Sequence, residues 1–217
     1  MNVTLVDSMG TDLSVANAAR VSFAKKNTEF KEPGDTRLIN FLADHGHWTP
    51  FGHVTLSFHI EAPIFVARQL VKHQVGLVWN EVSRRYVDYE PDYWIPEHWR
   101  ARAEDKKQGS DENEYIDWLS KDERTGGRVD KVCQFAIQTY KLMLEKGVCP
   151  EQARMVLPQN VLTEWYWTGS MYAFARVCNL RCQPDAQRET RDICWKIDQL
   201  ANVSFPVSWE ALRNADI

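Results

Sequence analysis

The sequence predicts an α+β fold: a helix-rich single domain with a small antiparallel or mixed sheet. Three observations carry this. Several segments place apolar residues at helical spacing, one segment has a period of two, and the chain is long and apolar enough to cover a core. At 217 residues, 44% hydrophobic and 12% aromatic, it is expected to form one domain over residues 1–217, with a charged insertion at about 101–127.

Asp12 to Phe23 spaces Leu13, Ala16, Ala19 and Phe23 as a helix, and Asp35 to His45 repeats the pattern with Leu38 and Leu42 before a stop at Gly46. From His53 to Ile60 the period becomes two. Val54, Leu56, Phe58 and Ile60 point one way and His53, Thr55, Ser57 and His59 the other, which predicts a half-buried strand. Pro63 is read in the first turn of a helix that continues through Gln74, with Ile64, Ala67 and Val71 on one face and Gln69, Lys72 and His73 on another. The insertion, crowded with charge and carrying Gly126-Gly127, is expected to be solvated and only partly helical. Val129, Val132, Ala136, Ile137, Tyr140 and Leu144 then predict a long amphipathic helix ended by Gly147. A short helix follows from Pro150, another spans Ser170 to Leu180, and a last long one opens at Pro184 and runs through Leu200.

A formal net charge of -4 argues against a polynucleotide binder but not against small anions met by local basic clusters, so nucleotides rather than nucleic acid are expected. Five cysteines without a CxxC pair, and no charged-then-apolar leader, point to a reducing, cytoplasmic setting. No apolar run approaches the ~20 residues of a membrane span.

Gln69 to Tyr86 holds the most informative cluster. Lys72, His73, Arg84 and Arg85 have Glu81 as their one counter-charge and stand beside Leu77, Val78, Trp79 and Val82. Basic groups held against apolar surface imply an anionic partner, and the same argument covers Arg154 and Arg181, although Glu151 is placed to pair with Arg154. His45, His47, His53 and His59 raise the question of a metal, but their spacing lacks paired ligands and no metal is expected. Cys178 and Cys182 fall one helical turn apart with no histidine near in sequence, and are read as inert rather than nucleophilic.

The segments NAARVSF (17–23), HGHWTPFGH (45–53), FHIEAPIFVARQL (58–70), NEVSRRY (80–86), EQARMVLP (151–158), YWT (166–168), NLR (179–181) and AQ (186–187) together resemble the flavin-dependent thymidylate synthases, in order and nearly end to end. The resemblance implies that family's fold and conversion of dUMP to dTMP. Methylenetetrahydrofolate would be the one-carbon donor, FAD the redox mediator and NADPH the reductant, with no protein nucleophile and a homotetramer whose sites are built from several subunits. It assigns Gln69, Lys72, Glu81, Val82, Ser83, Arg84, Arg85, Arg154 and Arg181 to the nucleotide, whose phosphate receives hydroxyl and guanidinium donors. Arg181 would face the uracil edge, favour loss or sharing of the N3 proton, and serve as the catalytic residue. FAD would meet Ser22, His47, Thr49, Lys72, His73, Gln74, Glu81, Ser170 and Arg176.

This chain departs from the family pattern of an Arg-His-Arg triplet, seven residues and then Ser: it has Lys72-His73-Gln74 and eight residues before Ser83. Lys72 keeps the charge without the planar fork, Gln74 loses the charge, and Arg176 stands where it can restore it. Two alternatives stay open: a flavin-dependent pyrimidine-nucleotide hydroxymethylase, or a nucleotide-binding homologue that has lost FAD.

Overall fold

The computed structural model describes residues 1–104, 109–116 and 126–215. In chain order the elements are β1 (Asn2–Met9), α1 (Asp12–Arg20), α2 (Gly34–Asp44), α3 (Thr49–Gly52), β2 (Thr55–Pro63), α4 (Ile64–Leu70), β3 (Leu77–Glu81), β4 (Arg100–Arg102), β5 (Ser110–Tyr115), α5 (Gly126–Glu145), α6 (Pro150–Ala153), β6 (Leu162–Ser170), α7 (Met171–Arg181), α8 (Arg188–Ser204) and α9 (Pro206–Asn214). They form two compact units: Met1–Ile60 with Val71–Asn80 and Tyr166–Ile217, and Glu61–Leu70 with Glu81–Trp165.

The first unit is built on a sheet of order β1-β2-β6-β3. The period-two reading of β2 holds, because Leu56, Phe58 and Ile60 are buried while Thr55, Ser57 and His59 are half-buried. Ser57 and Thr168 share a hydroxyl hydrogen bond at 2.7 Å. Trp165 and Trp167 alternate with Tyr166 along β6 in the same way. Phe174 of α7 meets Phe58 edge-on at 5.0 Å and Trp167 at 5.2 Å. Helix α7 is capped by Ser170, whose hydroxyl accepts from the Ala173 N–H. Its Met171, Ala173, Phe174, Ala175, Val177 and Cys178 are all buried.

Several sequence expectations change in three dimensions. The small sheet has company: β1, β3 and β6 join β2, and β4 pairs with β5 in a second, antiparallel sheet that includes described residues of the insertion, expected to be only partly helical. Residues 105–108 and 117–125 of that insertion lie outside the described ones. Pro63 ends β2 instead of sitting in a first helical turn, and α4 stops at Leu70, so Lys72 and His73 stand on a turn. The last expected helix, α8, begins at Arg188 rather than at Pro184, and a further helix, α9, follows it after a break at Phe205-Pro206. Proline removes the N–H that would continue α8 and is well placed in the first turn of α9, whose Val207 and Ser208 N–H groups donate to the Asp12 carboxylate.

In the second unit α5 ends as expected at Gly147, with φ +85 and backbone bonds from Gly147 and Val148 to Leu144 and Met143. The buried face is Cys133, Ile137 and Tyr140, and Val132, expected inward, is 58% exposed. Asn160 donates to the Trp94 carbonyl at 2.7 Å and Tyr93 to Asp130 at 2.5 Å, pinning the aromatic segment that precedes β4.

Gly169 allows β6 and the start of β3 to approach: a Cβ there would stand 2.3 Å from the Gly76 carbonyl oxygen and 2.5 Å from a Leu77 methyl. Gly169→Ala is therefore expected to lower unfolding free energy by about 1–3 kcal/mol in denaturant titrations. Gly34→Ala, where nothing lies within 4 Å, should stay within about 0.5 kcal/mol of the parent.

Candidate active site

Each unit presents a cavity lined by cations. In the second unit Ser83, Arg84, Arg85 and Arg154 open onto about 450 Å³ beside Glu81, Val82 and Thr163. The Glu81–Arg85 segment is placed by the backbone bond from the Val82 N–H to the Glu164 carbonyl, and Arg154 by the single turn after α6. The Ser83 hydroxyl accepts from the Arg85 backbone N–H at 3.4 Å and from its Nε at 3.3 Å, so hydroxyl and guanidinium are held together. The Arg85 guanidinium lies 4.9 Å from the Tyr86 ring centre. Arg154 donates to the Glu151 backbone carbonyl at 3.2 Å rather than to its carboxylate. Both arginines are exposed and have no carboxylate partner among the described residues. Arg84 differs: it is buried, donates to the Tyr89 carbonyl at 2.5 Å and stacks on the Tyr89 ring at 4.2 Å. A second contact was not visible in the sequence: Thr163, buried on β6, donates its hydroxyl to Glu81 at 2.8 Å. Gln69, on α4, is half-buried and is not among the lining residues.

In the first unit a cavity of about 690 Å³ is lined by Lys72, His73, Gln74 and Arg176, with Asn179, Gln183 and Arg213 around them and apolar walls from Val75, Leu77, Ala173, Val177 and Leu180. Among the described residues no carboxylate lines it. Arg213 was missed because a basic residue in a helix's last turn is an ordinary finding; it donates to Asp198 at 2.7 Å and also to the Asn179 side chain. Arg181 closes the last turn of α7, half-buried, and its Nε donates to His73 Nε2 at 2.9 Å. Burial first, then the charges of Arg181 and Arg176, hold His73 below the ordinary imidazole value. Ser170 serves as the α7 cap.

A third cavity, of about 660 Å³ and again within the first unit, is lined by Ser22, Phe23, Phe41, His47, Trp48 and Thr49, with Arg20 at its edge paired to buried Asp35. Here Trp48 lies 5.8 Å from Tyr172, and His45 stacks on Phe41 at 4.0 Å. Exposed rings on one wall suit a flat conjugated ligand. The first-unit cationic cavity fits a diphosphate, since neither Lys72 nor Arg176 has a hydrogen bond or ion pair among the described residues.

Burial drives the Cys178 thiol well up, helped by its hydrogen bond to Cys182, while Cys182 is lowered by that same bond. Burial likewise raises Cys194. A buried thiol so held is a poor nucleophile.

Fold and cavities define a class: an α+β protein with two cation-lined cavities and one lined by exposed rings. The family model described as "Thymidylate synthase complementing protein" matches residues 4–207. A flavin-dependent thymidylate synthase of Thermus thermophilus is 39% identical over 97% of this chain and 75% of its own length, and one of Kosmotoga olearia is 37% identical over 98% and 90%. A crystal structure described as the UMP/dUMP methylase PolB from Streptomyces cacaoi bound with 5-Br dUMP superposes with a TM-score of 0.86 at 28% identity, over 99% of this chain and 95% of that one. The chain belongs to the flavin-dependent thymidylate synthase family and is an enzyme of it. Among the described residues no helix is long and apolar enough to cross a membrane.

A thiol reagent at mildly alkaline pH should modify exposed Cys149 first and leave Cys178 and Cys194, both buried, unmodified until the protein unfolds, as peptide mass mapping would read.

Proposed function

We propose that this enzyme reductively methylates dUMP to dTMP, with methylenetetrahydrofolate as carbon donor, FAD as redox mediator and NADPH as reductant, working as a cytoplasmic homotetramer. The observation that carries the reading is the second-unit cavity. There Ser83, Arg85 and Arg154 gather at one opening beside Glu81, and among the described residues neither of these two guanidinium groups is ion-paired to a carboxylate. A phosphate dianion satisfies such a set, because a planar guanidinium offers paired donors to its oxygens. The PolB neighbour, described as holding 5-Br dUMP, supports a uridine monophosphate as the occupant.

Arg181 acts at the base. Its permanent charge stabilises the negative charge that appears on the uracil edge as N3 gives up its proton, and no neutral side chain offers that. Glu81, steadied by Thr163, accepts from the nucleotide or the flavin. Lys72, His73, Gln74 and Arg176 hold the FAD phosphates: Arg176, from α7, lines the same cavity as Gln74 and supplies the charge that Gln74 lacks. Ser22, His47 and Thr49 border the aromatic cavity and take the conjugated ring. FAD, when bound, supplies reducing equivalents from NADPH. The protein's own part is to orient the nucleotide, hold its charge and keep the reacting carbon dry. Thiol attack is not needed, in keeping with the raised Cys178.

Purified protein incubated with FAD and freed of unbound cofactor should keep flavin absorbance, and anaerobic NADPH should bleach it, faster with dUMP. A colourless protein that still binds dUMP would overturn the flavoenzyme reading. Arg181→Ala is expected to lower kcat about 10²–10³-fold with dUMP affinity nearly kept. Arg85→Ala should instead weaken dUMP binding by about 1.5–3 kcal/mol in calorimetry.

A further inference from the structure

Arg181 has one polar partner among the described residues, the Nε2 atom of His73 at 2.9 Å. A guanidinium only donates, so Nε2 must carry a lone pair and the imidazole must be neutral with its proton on Nδ1. The bond occupies Arg181 Nε and fixes the guanidinium plane, leaving its two terminal nitrogens for an outside acceptor.

The backbone brings this imidazole to α7. Gly76 takes φ +76, and a Cβ there would come within 3.1 Å of the Ala173 Cβ. The Gly76 carbonyl accepts from the Ser170 N–H at 3.2 Å and the Gln74 carbonyl from the Leu77 N–H at 3.2 Å. The turn carrying His73 is thus seated on the start of α7 through Gly76 and on its last turn through Arg181. Ala173 and Arg181 belong to the same helix, which Ser170 caps, so the spacing between these two attachments is set by a rigid element.

We propose that His73 is a positioning residue for Arg181: its neutral ring aims the guanidinium at the uracil edge, and protonation of that ring releases it. The proposal rests on the reading of Arg181 given above. A protonated imidazole has no lone pair at Nε2 and would set two positive charges in contact. The charged and titratable groups around the ring are Lys72 beside it, Arg176 and Arg181 of α7, Cys182 next to Arg181, and Arg213 of α9, which is paired to Asp198 of α8. Among the described residues no carboxylate borders the cavity itself. Burial and the two α7 arginines lower the value at which the ring takes up a proton. The neutral, orienting form therefore persists through neutral pH, and orientation fails only as pH falls through that lowered value. The same shift makes the unfolded chain bind the extra proton first, so stability also declines as pH falls below the ordinary imidazole value.

The test compares wild-type, His73→Gln and His73→Ala holoenzymes, each with FAD occupancy fixed by flavin absorbance. Glutamine offers an oxygen acceptor that does not titrate; alanine offers nothing. Wild-type kcat with dUMP should fall on the acid side with a one-proton slope. His73→Gln should turn over more slowly but without that acid limb, and His73→Ala should lose about 10–100-fold in kcat at neutral pH, with a much smaller change in KM for dUMP. Nitrogen-edited NMR gives a readout apart from turnover: a slowly exchanging Arg181 Nε–H signal in wild type at neutral pH and in His73→Gln, absent at acid pH in wild type and at any pH in His73→Ala. An unchanged acid limb in His73→Gln, or full kcat in His73→Ala, overturns the positioning role while leaving the reading of Arg181 intact. Wild-type enzyme that binds FAD yet shows no dUMP-dependent turnover at any pH overturns that reading, and the proposal with it.

Discussion

The burial of α7 sets the terms for the first unit. A helix whose Met171, Ala173, Phe174, Ala175, Val177 and Cys178 are all covered cannot roll or slide without exposing them, and covering one large apolar side chain is worth about 1.5–3 kcal/mol. Its rotation is further keyed by Phe174, which fits edge-on against both Phe58 and Trp167. With the apolar positions spoken for, Arg176 and Arg181 have no freedom in where their Cα atoms stand. The turn after α4 is then shaped to meet them, through the close passage at Gly76 and Gly169. Precision at the polar groups follows from density in the apolar ones.

Against that rigid frame the charges divide into two kinds. Arg20 with Asp35 and Arg213 with Asp198 are partly buried and matched, and they join helices that packing already brings together. The exposed pair Lys141 with Glu90 adds little. Lys72, Arg85, Arg154 and Arg176 have no acidic partner among the described residues. Gathering like charges costs stability, and a bound anion relieves that cost because it favours the folded form that holds it. The chain has carboxylates enough, 30 acidic residues against 26 basic; among the described residues none borders the first-unit cationic cavity, and Glu81 at the second-unit cavity is engaged by Thr163.

Local pattern made much of the fold legible. The helices α1, α2, α5 and α7 and the strand β2 were legible as elements, although α1 ends at Arg20, buries Val15 and Ala16 and leaves Phe23 exposed, and Gly147 follows α5 in the left-handed backbone that glycine favours. β1, β3 and β6 escaped for a physical reason. Leu77–Glu81 mixes apolar and polar residues without alternation, and Leu162–Ser170 is rich in aromatics that suit a helix core as well as a strand. What makes them strands is their neighbours in the sheet, which lie far off in sequence. Val132 is exposed while Cys133, the next position along, is buried, a choice that amphipathic spacing alone leaves open. In the sites, the basic cluster was legible as a surplus of cations beside apolar residues. Thr163 and Arg213 were not, since a threonine in a strand and an arginine at a helix end have ordinary reasons to be there.

By itself the sequence determined the helix-rich α+β class, the family resemblance and the residue types able to hold anionic ligands, because these depend on side-chain chemistry and short-range spacing. Tertiary structure alone decided that Lys72, His73 and Gln74 share a cavity with Arg176, and that Ser83 and Arg85 share one with Arg154. It also decided that Arg181 rests on the imidazole of His73, 108 residues away. Those meetings are made by packing helices on a sheet, and no property of either residue announces the other. The physical reason is that hydrophobic burial is collective and non-directional: it chooses which distant segments touch, and only then do hydrogen bonds and charges find their partners.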